Sequence, residues 1–159
     1  MKAKRLLQAI LMLSLLAAAS ALWGQSVLGT VMDSPEGVVK ARKLMMRTLS
    51  ANMKDIAEKT RDGRVAAVAA NAVSIGAIAV VLPPLYREKY ENVYPVEGSA
   101  SFFKGGSAAA IESAASQLKK SADSLQAAAD KGDPAGTQAA FDALKPACGS
   151  CHSAFRGKL

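Results

Sequence analysis

The sequence predicts an all-α fold, an antiparallel four-helix bundle. Three observations carry this. Four segments space their apolar residues alternately three and four apart, as helices packed at shallow angles do. Proline and glycine punctuate the ends of those segments. No period-two alternation runs long enough to suggest a sheet.

The first helix is expected from Ser34, an N-cap followed by Pro35, to about Lys59, with the stripe Val39, Arg42, Met46, Leu49, Met53 and Ile56 facing inward. The second follows the Asp62-Gly63 break, carries Val65, Val68, Ala72, Ile75, Ala79 and Leu82, and stops at Pro83-Pro84. From Pro83 to Gly106 the chain reads as a plain overhand connection across the bundle, containing Tyr86, Tyr90 and Tyr94. The third helix spans about Ser107 to Asp130, with Ile111, Ala115, Leu118, Ala122, Leu125 and Ala129 on one face. The fourth is introduced by Asp133-Pro134 and carries Phe141, Leu144, Cys148, Cys151 and Phe155 on its seam. Pro146 lies inside it and removes a hydrogen bond, so a kink or a fresh helical start is expected just before the cysteines.

The N-terminus is of another kind. Lys2, Lys4 and Arg5 precede an apolar run that ends near the small residues Ala19-Ser20-Ala21, the pattern of a cleaved secretory signal over 1–21; an uncleaved anchor is the alternative. Residues 22–33 then form a flexible N-terminal segment ahead of a single domain over 34–159. Such a chain is expected in the periplasm. Its net charge of +7 falls to about +4 once the signal is gone, and the remaining lysines form no basic run interleaved with aromatics, which argues against nucleic acid.

Both cysteines and the only histidine fall in Cys148-Gly149-Ser150-Cys151-His152. C-x-x-C-H is the attachment pattern of a c-type haem, in which two thiols add to the porphyrin vinyls and the adjacent imidazole becomes an axial iron ligand. Zinc would lack a fourth Cys or His ligand, and a thioredoxin-like pair would lack its strand-rich surroundings. A structural disulfide would close only a tiny loop. Alanine is abundant in the last three helices, and one covalent haem would supply apolar volume that such a bundle lacks.

His152 provides one axial ligand, and the other face of the iron decides the function. Met32 precedes the first helix, Met45 is rotated about 100° from Met46, and Met53 is two turns further along. Met46 lies on the inward stripe, as core filler or as a thioether ligand. Arg42, one turn earlier on the same stripe, either snorkels to solvent or bonds a haem propionate. Arg156, one turn after His152, is either a solvated C-terminal cation or a shield for the imidazole.

These features resemble the class II c-type cytochromes, the cytochrome c′ family. The resemblance rests on the C-terminal Cys-Gly-Ser-Cys-His followed by Ala154-Phe155-Arg156, and on Pro35 to Arg42 of the first helix. It implies a bundle enclosing one covalent haem c, with Cys148 and Cys151 as thioether cysteines and His152 as the proximal ligand. Arg42 would then serve a propionate, and Arg156 would be the arginine one turn after the ligand. Met46 falls where low-spin members place a ligating methionine and five-coordinate members a bulky apolar residue, which implies the Met-ligated branch. Residues 83–106 depart from the family pattern, with Phe102-Phe103-Lys104-Gly105-Gly106 and no tryptophan. The expected function is single-electron transfer with a periplasmic redox partner; the alternative is a five-coordinate iron that binds NO or CO for sensing or scavenging. No enzyme is expected, since no second histidine or acid-base pair accompanies the haem. The resemblance also implies a homodimer through the first two helices.

Overall fold

The computed structural model describes residues 34–87 and 101–158. The signal over 1–21, the segment over 22–33 with Met32, and Tyr90 and Tyr94 lie outside the described residues. Helix α1 covers Pro35–Arg61, and a 3-10 turn at Val65–Ala67 leads into α2, Val68–Val81. A second 3-10 turn follows at Pro83–Tyr86; then come strand β1 (Ser101–Phe103), α3 (Ala108–Asp130), α4 (Pro134–Phe155) and β2 (Arg156–Lys158). The four helices form the expected bundle.

Local chemistry fixes the helix starts. Side-chain oxygens of Ser34, Ser107 and Asp133 accept the backbone N–H three residues on, at 3.2, 3.2 and 3.0 Å, which satisfies a donor that the first turn leaves without a helical partner. The turns after α1 and α3 pass through Gly63 and Gly132 at φ 73° and 64°, a conformation that a side chain resists. These short turns make sequential helices antiparallel neighbours.

One apolar cluster runs between all four helices, with Ile56, Ile75, Leu125 and Leu144 fully buried. Burial of side chains of this size contributes about 1.5–3 kcal/mol each. Helix α3 packs closely on both α2 and α4, whereas α1 meets α4 only sparsely. The space between α1 and α4 is where the site lies.

The structure departs from expectation in three places. Helix α4 runs unbroken through Pro146, which is exposed, so of the two outcomes expected there the fresh start before the cysteines is the one overturned. Leu144 on one side of the proline and Phe155 on the other are both buried, so packing holds the helix across the missing bond. Second, β1 and β2 pair antiparallel, with Phe102 opposite Gly157 and Phe103 opposite Arg156. Three residues per strand are too few to leave an alternation in the sequence. Third, Pro83 to Gly106 is not a plain connection, because both of its described ends pack into the bundle. Among the described residues no helix is long and apolar enough to cross a membrane.

Candidate haem site

A cavity of about 670 Å³ opens between α1, α3, α4 and the two ends of the crossover. That volume falls within the roughly 300–1,000 Å³ of small-molecule and cofactor sites. Helix α4 brings Cys148, Cys151 and His152 to one wall, since residues three and four apart share a helical face. Cys148 and Cys151 are half-buried free thiols. Burial pushes both above the usual thiol range, and for Cys151 the neighbouring Cys148 adds to the effect. They are therefore neutral thiols. His152 stands exposed at the mouth, yet the wall desolvates part of its ring, and this together with the Arg156 cation lowers its pKa. A neutral imidazole with a free lone pair is the state that ligates iron.

The chain just beyond His152 is held from several directions. The Arg156 N–H donates to the His152 carbonyl. The Lys104 backbone N–H donates to the Phe155 carbonyl at 3.0 Å, and Lys104 Nζ donates to the Ser153 carbonyl at 2.8 Å. Carbonyls that the end of α4 would leave unpaired are thereby satisfied. Arg156 itself is not one further helical turn: it lies in β2, exposed, with its side chain on the cavity. Gly106 makes room for this packing, since a Cβ there would come within 2.6 Å of the Phe155 ring.

Across the cavity, α1 contributes Val39, Arg42, Met46, Leu49 and Met53. Met46 and Met53 are half-buried and pack against the main cluster; Met45 also packs there and does not line the cavity. Arg42 is buried and does not snorkel. Its Nε donates to the Leu85 carbonyl at 2.7 Å, and its guanidinium lies 5.0 Å from the Tyr86 ring centroid and 5.3 Å from that of Phe103. The two rings meet edge to face at 5.3 Å. Charge-assisted bonding and the ring faces offset the cost of burying this cation. Tyr86 is desolvated enough that its phenol pKa is pushed up to about 12, despite the opposing influence of Arg42.

Tyr86 and Phe103 are the site residues that sequence reasoning missed. Each belongs to an aperiodic stretch, and each meets α1 across a long sequence separation. The one available signal was the inward cation Arg42, which demands partners.

The donor set fits a c-type haem. Two neutral thiols one turn apart share a wall with a neutral imidazole, the facing wall is apolar, and cations stand at the edges. Among the described residues no three Cys, His, Asp or Glu side chains gather as a metal cage.

The cytochrome c′ family model matches residues 37–156. The chain belongs to the cytochrome c′ family. It therefore binds one covalent c-type haem with iron. Two solved structures support the same membership. One is the cytochrome c′ from Thermochromatium tepidum, at 25% identity and TM-score 0.67, matched over 79% of this chain and 98% of that one. The other is a cytochrome c′ described as having ligand-controlled dimer dissociation, at 26% identity and TM-score 0.67 over the same shares. The cytochrome c′ from Alcaligenes xylosoxidans, in a ferrous variant with bound NO, shares the fold at 20% identity and TM-score 0.62, over 80% of this chain and 98% of that one. No curated protein matches the chain.

Proposed function

We propose that this cytochrome c′ is an exported, periplasmic haem protein that binds a diatomic gas, NO or CO, at the iron face turned toward α1, for sensing or scavenging. The observation that carries the reading is the character of the cavity wall opposite α4: Val39, Met46, Leu49 and Met53 give a small neutral ligand an apolar seat. When bound, the haem would supply an iron able to bind the gas. Cys148 and Cys151 would hold it by thioethers and His152 would ligate the iron; partial burial of the imidazole, and then the Arg156 cation, both favour its neutral form. Arg42, fixed by Leu85, Tyr86 and Phe103, would serve a propionate. Among the described residues the wall carries no Asp or Glu to relay protons beside His152, which supports a binding protein over an enzyme. The N-terminal signal pattern supports export. The relative with ligand-controlled dimer dissociation supports both ligand binding and a homodimer.

A second reading is favoured by one feature. Met46 is half-buried on the wall facing His152, one turn after Arg42, and its thioether would suit a low-spin iron that carries single electrons to a redox partner. Absorption spectra of the reduced protein with and without carbon monoxide separate the two. Gas binding requires high-spin bands and ready CO uptake, in wild type and in Met46→Ala alike. Low-spin bands that ignore CO, converted to CO-binding bands by Met46→Ala but not by Met45→Ala, would establish the carrier instead. If both variants stay low-spin, Met46 is not the ligand.

A further inference from the structure

Arg42, Lys43, Arg47, Lys145 and Arg156 all line the haem cavity, and no carboxylate among the described residues does. Several described acids stand elsewhere beside cations of their own: Glu36 with Lys40, Asp55 with Lys59, Asp62 with Arg61 and Asp123 with Lys119. Asp142 pairs with Lys145 at 2.7 Å and offsets part of one rim charge. The lining cations differ in depth. Arg42 is buried and suited to a haem propionate, whereas Arg47, Lys145 and Arg156 are exposed at the mouth. Low-dielectric walls around a concave opening lined by one sign of charge focus the field outward and raise encounter rates with oppositely charged partners.

We propose that this mouth docks a redox protein through a carboxylate-rich face, and that the docked partner is the electron donor of the site. One electron leaves the partner's cofactor, which is oxidised, and reduces ferric haem iron to the ferrous state. The inference rests on the haem reading above and adds the partner's chemistry. An acidic protein fits better than an anionic membrane. A lipid surface is held by cations flanked with apolar side chains, but among the described residues the large exposed apolar side chains are Val73, Val80 and Val81 on α2 and Leu44 on α1, and none of them lines the cavity. The cations instead line an opening into which a convex protein surface can settle.

The test uses the ferric holoprotein. Its reduction by anionic iron(II)–EDTA and by cationic hexaammineruthenium(II) is followed by stopped flow as salt is raised. The iron reagent should slow with salt and the ruthenium reagent should accelerate, and polyglutamate should compete with the iron reagent. Arg47→Glu with Lys145→Glu should slow the anionic reagent about tenfold at low salt, while the equal charge change Lys119→Glu with Lys131→Glu should leave it within about twofold. Arg47→Gln with Lys145→Gln gives the same reading at smaller amplitude should the charge reversal hinder folding. Equal slowing in both charge-reversed proteins would reduce the effect to net charge and overturn the proposal. So would vesicles of anionic phosphatidylglycerol binding the wild type through Arg47 and Lys145 while polyglutamate fails to compete. The CO spectrum does not depend on these rates, so the gas-binding reading and the docking reading can fail separately.

Discussion

Arg42 shows how a single inward cation organises its surroundings. A guanidinium cannot lose its proton, so burial obliges the fold to bring it acceptors and ring faces. Leu85, 43 residues away, gives its carbonyl, and Tyr86 and Phe103 give their rings. Phe103 is 2% exposed and stands at the centre of this contact. Phe103→Leu is therefore expected to lower stability by about 1–2 kcal/mol in urea unfolding, through lost ring contacts with Arg42 and Tyr86 and imperfect refilling. It should also shift the reduction potential of the haem, because Arg42 would lose part of its support. An unchanged potential would mean that Arg42 does not act on the haem edge. Cys148, Cys151 and His152 were legible in the sequence because covalent attachment demands a fixed local spacing. The partners of Arg42 were not, because nothing local ties a loop ring to a helical cation.

At the scale of elements, the helices were the readable part. Caps, proline positions and the alternation of apolar residues located α1 and α3 within a residue or two of their observed ends. What escaped was structure whose cause is tertiary. The β1–β2 pair is short, and it exists because the segment after α4 finds the end of the crossover beside it. The fresh start expected at Pro146 is missing for the opposite reason, since the local penalty was real but smaller than the packing on either side. Pro146→Ala would restore an N–H facing the Asp142 carbonyl on an exposed face, and should stabilise the protein by about 1–3 kcal/mol in thermal unfolding. A loss of stability, or impaired haem attachment, would show that the proline sets the path of α4 toward Cys148.

Over the whole molecule, the α1–α2 contact outside the cavity has its own organisation. Asn71 of α2 is buried and bonds Asn52 and Asp55 of α1 at 2.9 Å each, while Lys59 Nζ donates to Asn71 at 2.7 Å and pairs with Asp55 at 2.6 Å. An apolar stripe tolerates sliding, but this network satisfies its polar groups in one register of α1 against α2. Hydrogen bonds from Lys59 and Asn71 hold the Asp55 carboxyl below the usual carboxylate range. A depressed folded pKa contributes stability that is present above the unfolded value near 4 and is lost as pH falls through the folded one. The stability difference between wild type and Asp55→Asn should accordingly be present at pH 7 in urea titrations and shrink toward nothing near pH 2. A difference that does not change with pH would locate the effect in packing rather than ionisation.

The crossover is tethered twice. On the α2 side, Pro83–Tyr86 is fastened to α1 by the bond from Arg42 to the Leu85 carbonyl; on the α3 side, Ser101–Phe103 is fastened to the residues after α4 by the strand pair. Each anchor contributes its own side chain to the cavity, Tyr86 from one and Phe103 from the other. These two walls are held by contacts outside the stretch that joins the anchors. In general, doubling the length of a loop costs only about 0.6 kcal/mol of closure entropy. Chain length between residues 87 and 101 can drift during divergence, or be extended by a grafted module, while the walls around the haem keep their places.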